Sequence, residues 1–375
     1  MTTEDLASEI STLLIKYAPE VDKQARYPEE SIAALKQSGM TVAAAPTDLG
    51  GLGYGVQDLV TTARALARGC GSTAMIWAMS QITLSCLLRH AGKSGAAEKL
   101  VEEAVSQRWL IASVVSEKNN GGNIRQSDAA LTPDSTRSFV LEKQAASVSY
   151  GAEADALFVT ARRSQAADPT DQVAVLVTKD QTELKVTGNW NTLGMRGTRT
   201  LPLDVRARFD QDHILADPFK DIAGRTLTPM SCVLQAAVWC GLAEEAVARA
   251  VGHTRRKLAK SPQSEVSPTL AEAHWRLSAL SGHLRDAVEL VSTSWNSSGT
   301  VSMKQLASLN ALKLGVSELA LDVCFQAMRC CGLAGYSEEG PASVARLLRD
   351  VLSAPLMISN SRIAAANSVL LTLGK

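Results

Sequence analysis

The sequence carries no net charge, no long uninterrupted hydrophobic run and no leader-like start. Its 38 Lys and Arg residues match its 38 Asp and Glu residues, so electrostatics give no reason to expect a nucleic acid or an anionic membrane as a partner. The most apolar window, residues 233–243, is interrupted by Gln235 and is too short to span a bilayer. The acidic start, residues 1–5, lacks the basic stretch and apolar run of a signal peptide. We therefore expect a cytoplasmic protein that works away from membranes.

Paired cysteines and metal-type spacings are absent as well. The seven cysteines include no CxxC pair, and their spacing with the five histidines matches no common metal site. Most of the cysteines fall in apolar stretches with helical periodicity, where buried, reduced thiols are typical of a cytoplasmic protein. The sequence therefore predicts no metal site, and it contains neither a low-complexity segment nor an internal repeat.

The chain does contain enough apolar residues for a large core. Of its 375 residues, 46% are hydrophobic, and this length predicts two or three domains. Helical patterns fill residues 5–110, beginning with a short helix over 29–38 that ends at Gly39. Two further helices, over 56–70 and 72–90, are apolar on most faces and should be buried.

The middle of the chain, residues 111–220, changes to alternating and β-branched runs separated by turn residues. Short strands at this spacing predict an antiparallel barrel or sandwich. A polar stretch, residues 164–171, is predicted to be a loop. The six predicted strands cover residues 111–115, 138–141, 156–160, 173–177, 184–187 and 203–209.

Residues 226–374 return to helical periodicity. Four long helices with short connections predict an antiparallel bundle. The clearest stripe steps by three and four through Leu309, Leu312, Val316, Leu319 and Val323. Similar stripes run through residues 233–251 and 270–291, and breaks fall at 261–262, 297–299 and 332–341.

One stretch, Trp190 to Thr198, has a glycine on either side of a Met-Arg pair. Glycines at this spacing indicate a tight turn or a close backbone approach, and an arginine fixed on such a turn is well placed to meet an anion. A surface turn with a solvated Arg196 is the plainer alternative. A second glycine-rich stretch, residues 50–55, lacks the lysine and the preceding strand of a phosphate-binding loop, so it indicates that function only weakly.

Six short motifs follow one another along the chain, namely Tyr27-Pro28, Gly39-Met40, Pro46, the GGLG run 50–53, Ser72-Thr73-Ala74 and the LGMRG run 193–197. In this order they resemble the acyl-CoA dehydrogenase superfamily, which includes flavin-dependent monooxygenases, over nearly the whole chain. The resemblance implies an α+β fold. Its parts are an N-terminal all-α domain over 1–110, a middle antiparallel β-barrel domain over 111–220 and a C-terminal four-helix bundle over 221–375.

The resemblance also implies an FAD cofactor held between the β domain and the bundle. Ser116 stands where the family uses a threonine toward the flavin ring. Ser149 keeps the hydroxyl of a second such motif, in which Ser147 replaces the aromatic residue. Hydroxyls that cap strand ends are the alternative for both Ser116 and Ser149. Ser359 is assigned to the cofactor site as well.

Three further residues are expected near the flavin pyrophosphate. Arg256 lies in the family's pyrophosphate-binding stretch, where an arginine clamps an anion, although the Phe-Gly pair of that stretch is absent. Gln326 and Gly332 belong to a later glycine motif that ends at Tyr336. For Arg256 the alternative is a basic helix C-terminus, which the helix dipole favours.

The dehydrogenase reaction of the family needs a carboxylate that removes a substrate proton, and this chain lacks it at both expected positions. The family glutamate lies eight residues beyond the aspartate of an Arg-Asp pair. Counted from Asp350, this position is Ile358, and the alternative position on the first bundle helix falls near Gln235. Neither side chain can act as a base, so the catalytic residue is unknown. Glu244 and Glu245, further along that helix, are not assigned.

Three functions of this superfamily stay open for the sequence. The first is an FAD-dependent enzyme that oxidises an acyl thioester, linked to CoA or a carrier protein, with a relocated base. The second is a monooxygenase that uses O2 and reduced flavin from a separate reductase; His90 is a candidate near its flavin, although Gln81 holds the usual histidine position. The third is a non-catalytic subunit paired with an active paralogue.

The resemblance implies partners too. We expect a homodimer or homotetramer with the flavin at a subunit interface, and a small-molecule substrate such as an acyl thioester. An electron-transfer protein or a flavin reductase is the expected redox partner.

Overall fold

A computed structural model describes residues 3–92, 95–296 and 301–373 of the chain. Its N-terminal helices are Thr3–Gln24 (α1), Glu29–Gln37 (α2), Val56–Gly69 (α3), Gly71–His90 (α4) and Ala96–Ser106 (α5). The end of α2 is the predicted one, since Gly39 takes a left-handed conformation with φ +76°. α4 is buried along most of its length, as its apolar composition on all faces predicts.

The glycine-rich stretch 50–55 packs against its own backbone and forms no phosphate cradle. The Gly51 and Gly53 N–H groups donate to the carbonyls of Pro46 (3.0 Å) and Ala45 (2.8 Å). A Cβ at Gly51 would lie 2.1 Å from the Ala45 carbonyl oxygen. Because these amides already have partners, the structure gives no support to phosphate binding at this stretch.

The middle part folds into two sheets. Its strands are Ile111–Val114 (β1), Leu131–Pro133 (β2), Ser138–Val148 (β3), Ala156–Arg162 (β4), Gln172–Thr178 (β5), Thr182–Val186 (β6) and Leu201–Asp210 (β7). One sheet has the order β1-β4-β5, and the other has the order β2-β3-β7-β6. β4 is buried over nearly its whole length, whereas β7 alternates between buried and more exposed side chains. Residues 164–171 form the predicted loop.

The strand arrangement differs from the predicted all-antiparallel pairing in one respect. β1 pairs with β4 in parallel, with Ile111 opposite Ala156, whereas the other four strand pairings are antiparallel. Of the two predicted alternatives, a barrel or a sandwich, the strands of the described residues agree with the second, because they form two sheets and no single closed one. The physical reason is that side-chain alternation reports which face of a strand is buried, and carries no information about its partner or direction. β2 is absent from the prediction because three residues are too few to show a pattern.

The C-terminal part is helical, as predicted. Its helices are Phe219–Ile222 (α6), Thr228–Lys260 (α7), Thr269–Asn296 (α8), Met303–Cys331 (α9), Leu333–Tyr336 (α10), Ala345–Val351 (α11) and Asn360–Leu373 (α12). Three of the four predicted long helices are present as α7, α8 and α9. In place of a fourth long helix, the chain forms α11, a turn and the shorter α12. The predicted stripe on α9 is buried except at Leu319, which is half-buried. The predicted break at 297–299 lies outside the described residues.

Two apolar runs pass the length and composition test for a membrane span. They are Gly71–His90 and Phe219–Lys260, and 89% of the apolar window of each is buried inside the fold. Helices of a globular core have the same composition, so burial accounts for both runs. The second run extends well beyond window 233–243, which the sequence alone marks as too short.

The seven cysteines are free thiols, and six of them are buried. Within residues 3–92, 95–296 and 301–373, no group of three or more potential ligands is placed to hold a metal ion. The domain limits near 110 and 220 stay predictions. They fall close to the start of β1 at Ile111 and to α6.

Candidate functional site

Residues 190–200 lie against Arg349 and Asp350 of α11, and we call these residues together the junction. The Met195 N–H donates to the Asp350 carboxylate (2.6 Å), and the Met195 carbonyl accepts from the Trp190 indole (3.0 Å). A Cβ at Gly194 would come within 2.0 Å of the Arg349 carbonyl oxygen. The two-glycine spacing therefore serves a close backbone approach, one of the two alternatives that the sequence allowed.

Among the described residues, the arginine of this stretch contacts carbonyl groups and no anion. Arg196 donates to the carbonyl oxygens of Asp22 (2.7 Å) and Thr192 (2.8 Å). The Asp22 carboxylate instead meets Arg349 (2.6 Å). The junction thus fastens α1 to α11. Neither a solvated arginine nor an anion contact describes position 196, because its guanidinium bonds two backbone carbonyls.

Asp350 is the buried charge of the junction. Burial raises the pKa of its carboxyl from 3.8 to about 6, against the opposing effects of Arg346 and of the Met195 N–H. One carboxylate oxygen accepts from Met195, and the other lies beside Gly71, where an added Cβ would come within 2.9 Å of it. The carboxylate therefore faces protein on both sides, which suits a fastening role.

The two predicted flavin serines have protein partners. The Ser116 hydroxyl donates to the Ser147 carbonyl (2.9 Å) and accepts from the Ser147 N–H (3.3 Å). The Ser149 hydroxyl pairs with that of Thr200 (2.9 Å). The Ser116 bonds are those of a strand-end hydroxyl that caps the backbone. A role toward a flavin stays a prediction for both serines.

A buried ion pair lies directly behind Ser116. The Lys143 ammonium meets the Glu117 carboxylate (2.8 Å) and donates to the Thr160 carbonyl (2.7 Å), and both charged side chains are buried. Burial alone would raise the pKa of Glu117, but Lys143 outweighs that effect and the pKa is lowered. The pair fixes the start of loop 116–122. On β3, Lys143 is in phase with the buried residues Leu141 and Ala145. A charged residue at an inward position of a strand is the sequence feature that could have indicated this buried ion pair.

The predicted base position lies on the segment 354–360, between α11 and α12. Ile358 and Ser359 are both left-handed, with φ of +62° and +53°, which is rare for a β-branched residue. The Ile358 side chain is half exposed. Arg362 donates to the Gly121 carbonyl, so the segment and loop 116–122 border one edge of the molecule. The structure therefore brings the far end of loop 116–122 to the start of α12, next to Ser359 in the chain.

No carboxylate stands at either predicted base position. Gln235 is buried, and its carbonyl oxygen has no hydrogen-bond partner in the part of the chain that the structure describes. Glu244 pairs with Arg64, and Glu245 pairs with Arg249 at 2.9 Å. The carboxylate that a hydrogen bond joins to the segment is the exposed Glu318, which accepts from the Asn360 amide (3.3 Å).

The residues predicted for the pyrophosphate form a second group, where the ends of α7 and α9 meet. The Thr254 hydroxyl lies 3.7 Å from the Cys330 sulfur. Arg256 is exposed, and among the described residues no hydrogen bond or ion pair holds it. Gly332 has φ +60° and open space around it, whereas Gln326 accepts from Arg329 (3.1 Å). Arg256 acts on the charge of Cys331, the residue before Gly332, so its free guanidinium lies on the side of α7 that faces this open corner, and such a group fits an anionic cofactor group.

His90 and Gln81 are both engaged inside the protein. The His90 ring lies between Asp217 (2.6 Å) and the Thr226 hydroxyl (2.8 Å), and burial lowers its pKa. The Gln81 amide donates to the Thr41 carbonyl (2.7 Å) and accepts from the Ala44 N–H (3.0 Å). These bonds account for both side chains without a flavin.

Family models decide the assignment. Residues 3–108 match the acyl-CoA dehydrogenase N-terminal domain and residues 225–358 match the acyl-CoA dehydrogenase C-terminal domain, which together cover well over half of the chain. The chain belongs to the acyl-CoA dehydrogenase superfamily. The predicted superfamily and fold class are thereby confirmed, and the protein is an acyl-CoA dehydrogenase-like flavoenzyme of the oxidoreductase class.

Individual relatives of this acyl-CoA dehydrogenase-like chain carry different activities in their names. The amino sugar nitrososynthase DnmZ of Streptomyces peucetius is 27% identical over 92% of this chain and 88% of its own length. The human mitochondrial short-chain specific acyl-CoA dehydrogenase is 27% identical over 88% of this chain and 79% of its own. Among solved structures, FMN-bound TdsC of Paenibacillus sp. A11-2 superposes with a TM-score of 0.87 at 19% identity, over 100% of this chain and 98% of its own.

Proposed function

We propose that this chain is a flavin-dependent monooxygenase that oxidises a small molecule with reduced flavin and O2. One observation carries the proposal: Ile358 and Gln235 stand at the two positions predicted for the base of a dehydrogenase, and neither is a carboxylate. Without a carboxylate there, removal of an α-proton from an acyl thioester has no general base, which typically contributes about 10²- to 10⁴-fold. The proposal is also supported by two similar proteins, the amino sugar nitrososynthase DnmZ and the dibenzothiophene monooxygenase TdsC.

An acyl-thioester dehydrogenase with a relocated base is the second candidate. Its support is the similarity to the human short-chain enzyme and the hydrogen bond between Glu318 and Asn360, two residues beyond Ile358. Glu318 is the residue to test as the relocated base. We expect Glu318→Gln to leave activity unchanged if the chain is a monooxygenase, and to remove dehydrogenation if it is not.

The cofactor is proposed to be FAD, held by two groups of residues that belong to different subunits of a homodimer or homotetramer. When bound, the flavin supplies the redox chemistry in either function. Ser116, Ser149 and Ser359 would provide hydroxyls at its ring end. Arg256, Gln326 and Gly332 would surround its pyrophosphate, where the free guanidinium of Arg256 supplies the positive charge.

A pair of assays on the purified protein tests the function. In the first, a panel of acyl-CoA chain lengths is offered with an artificial electron acceptor. In the second, a flavin reductase and NADH supply reduced flavin under ¹⁸O₂, and substrate-dependent incorporation of ¹⁸O is measured with amino sugars and aromatic heterocycles. We expect no acceptor reduction in the first assay and label incorporation in the second. Robust acceptor reduction by the wild type would contradict the proposal.

The variant Ile358→Glu sharpens the first assay. A general base contributes roughly 10²- to 10⁴-fold to the rate. If only the base is missing, Ile358→Glu should therefore raise the rate of acceptor reduction measurably above that of the wild type. If the chain is a monooxygenase, the carboxyl finds no matching substrate and acceptor reduction stays at background. Ile358→Gln, with the same size and no charge, is the control. Inactivity of all three proteins in both assays would instead support a non-catalytic subunit, which pull-down with a paralogue would test.

A further inference from the structure

Lys313 places one positive charge inside the helical bundle. It lies in the middle of α9, and its side chain is 1% exposed. A buried ammonium is costly unless its N–H groups are bonded. The Lys313 ammonium donates to the Ala354 carbonyl (2.8 Å) and to the Asn360 side-chain oxygen (2.5 Å), and it lies 5.5 Å from the centre of the Trp239 ring.

The two hydrogen-bond acceptors mark the two ends of the segment 354–360. Between them lie Ile358 and Ser359, the two consecutive left-handed residues. Such backbone persists only where the surroundings determine it. The Ser317 hydroxyl, one turn along α9, donates its proton to the Lys313 carbonyl of the same helix (2.6 Å), so the Lys313 ammonium is the donor from α9 that holds the Ala354 carbonyl.

We propose that Lys313 is a positioning residue, whose buried ammonium holds both ends of the segment 354–360 and thereby sets the rim of the candidate flavin site. The second half of this statement rests on the proposed function, because it takes the segment to border the flavin. The first half, that Lys313 holds both ends of the segment, concerns the protein without a cofactor and is tested independently of the proposed function.

The surroundings of Lys313 make this attachment depend on pH. From α7 it faces the Cys232 thiol, whose pKa burial raises to about 12, and on its own helix it faces the exposed Glu318. The segment and Asn360 offer it neutral oxygens only. Burial lowers the pKa of Lys313 to about 8. Above that pH the neutral amine keeps two N–H donors and loses the added strength of charge-assisted bonds.

Hydrogen exchange on the full chain tests the attachment. Three backbone amides report on the segment, because Met357, Ser359 and Asn360 donate to carbonyls within it or just before it. We expect Lys313→Met to speed exchange of these amides roughly tenfold or more. We also expect the protection of these amides in the wild type, corrected for the base-catalysed intrinsic rate, to fall between pH 7 and 9, and this fall should be absent in Lys313→Met. Lys304→Met, an exposed lysine of the same helix, is the matched control and should change neither. Unchanged exchange in Lys313→Met would overturn the proposal.

A second variant covers the case in which Lys313→Met fails to fold. Asn360→Ala removes one acceptor and keeps the buried charge on its Ala354 contact, so we expect faster exchange at Ser359 and Asn360 with the fold intact. Unchanged exchange in a folded Asn360→Ala protein would count against the proposal as well. Flavin titration of the same variants tests the rim. Faster exchange with unchanged flavin affinity would keep Lys313 as the positioning residue and refute the proposed place of the flavin.

Discussion

The junction and the segment 354–360 lie only a few residues apart in the chain, at Asp350 and Ala354. They differ in how far their residues are fixed by contacts with the rest of the protein. At the junction, Gly194, Met195 and Asp350 each have a contact that holds two parts of the chain together. At the segment, Ile358 is half exposed and its backbone is left-handed. The LGMRG motif therefore joins two parts of the fold, whereas position 358, the predicted base position, leaves its side chain half exposed.

Gly194→Ala should produce the largest loss of stability and so break the junction itself. The new Cβ would lie 2.0 Å from the backbone carbonyl of Arg349, which cannot move like a side chain. We expect a loss of about 3 kcal/mol or more in the free energy of unfolding, measured by chemical denaturation. Gly224→Ala is the control, since nothing lies within 4 Å of its added Cβ. Equal stability of both variants would show that the close approach is not real.

Asp350→Ala should cost somewhat less, about 2 kcal/mol, because it leaves the buried Met195 N–H without an acceptor. Asp350→Asn keeps an acceptor and should be close to the wild type at pH 7. The folded-state pKa of Asp350 is raised, so the folded protein binds its proton more tightly than the unfolded chain does. Its contribution to stability therefore falls as pH rises from about 4 to about 6. This pH dependence should vanish in Asp350→Asn, and its persistence there would assign it to another group.

Arg256→Ala should weaken FAD binding about tenfold or more, because one charge-assisted contact contributes roughly 1.5–3 kcal/mol, and it should leave the unfolding of the cofactor-free protein unchanged. Fluorescence titration with FAD and with FMN measures the effect. A loss for FAD alone places Arg256 at the part of the cofactor that FMN lacks. Lys257→Ala, the exposed neighbour, is the control. Equal FAD affinity of the Arg256→Ala protein and the wild type would remove Arg256 from the site.

Ile358→Asn should have the smallest effect on the folded protein. The side chain is half exposed, and asparagine tolerates left-handed backbone better than a β-branched residue does. We expect the free energy of unfolding to stay within about 0.5 kcal/mol of the wild type, measured as for Gly194→Ala. A large loss in the free energy of unfolding would mean that the side chain at position 358 stabilises the fold, as the junction does, and the contrast between the two regions would disappear.

Much of the fold could be predicted because its signals are local. Gly39 ends α2, the apolar stripe of α9 faces inward, and six of the seven strands follow visible runs. The partners in space could not be predicted in this way. The parallel pairing of β1 with β4, the contact of Arg196 with Asp22 and the buried pair of Glu117 with Lys143 each join residues whose local patterns say nothing of one another. For Lys313 the periodicity does indicate an inward position, four residues after Leu309 and three before Val316, but it does not identify Ala354 and Asn360 as its partners.

The reach of the junction along the chain has a consequence for synthesis on the ribosome. The acceptor of the Met195 N–H is Asp350, 155 residues later. At 5–20 residues per second, roughly 8 to 31 s pass between the emergence of these two residues. During that interval the Met195 N–H has no permanent acceptor, whereas the bonds from Arg196 to Asp22 and from Gly197 to Ser72 can already form. A nascent chain that stops before Asp350 can therefore dock this stretch on its N-terminal helices but cannot complete the junction.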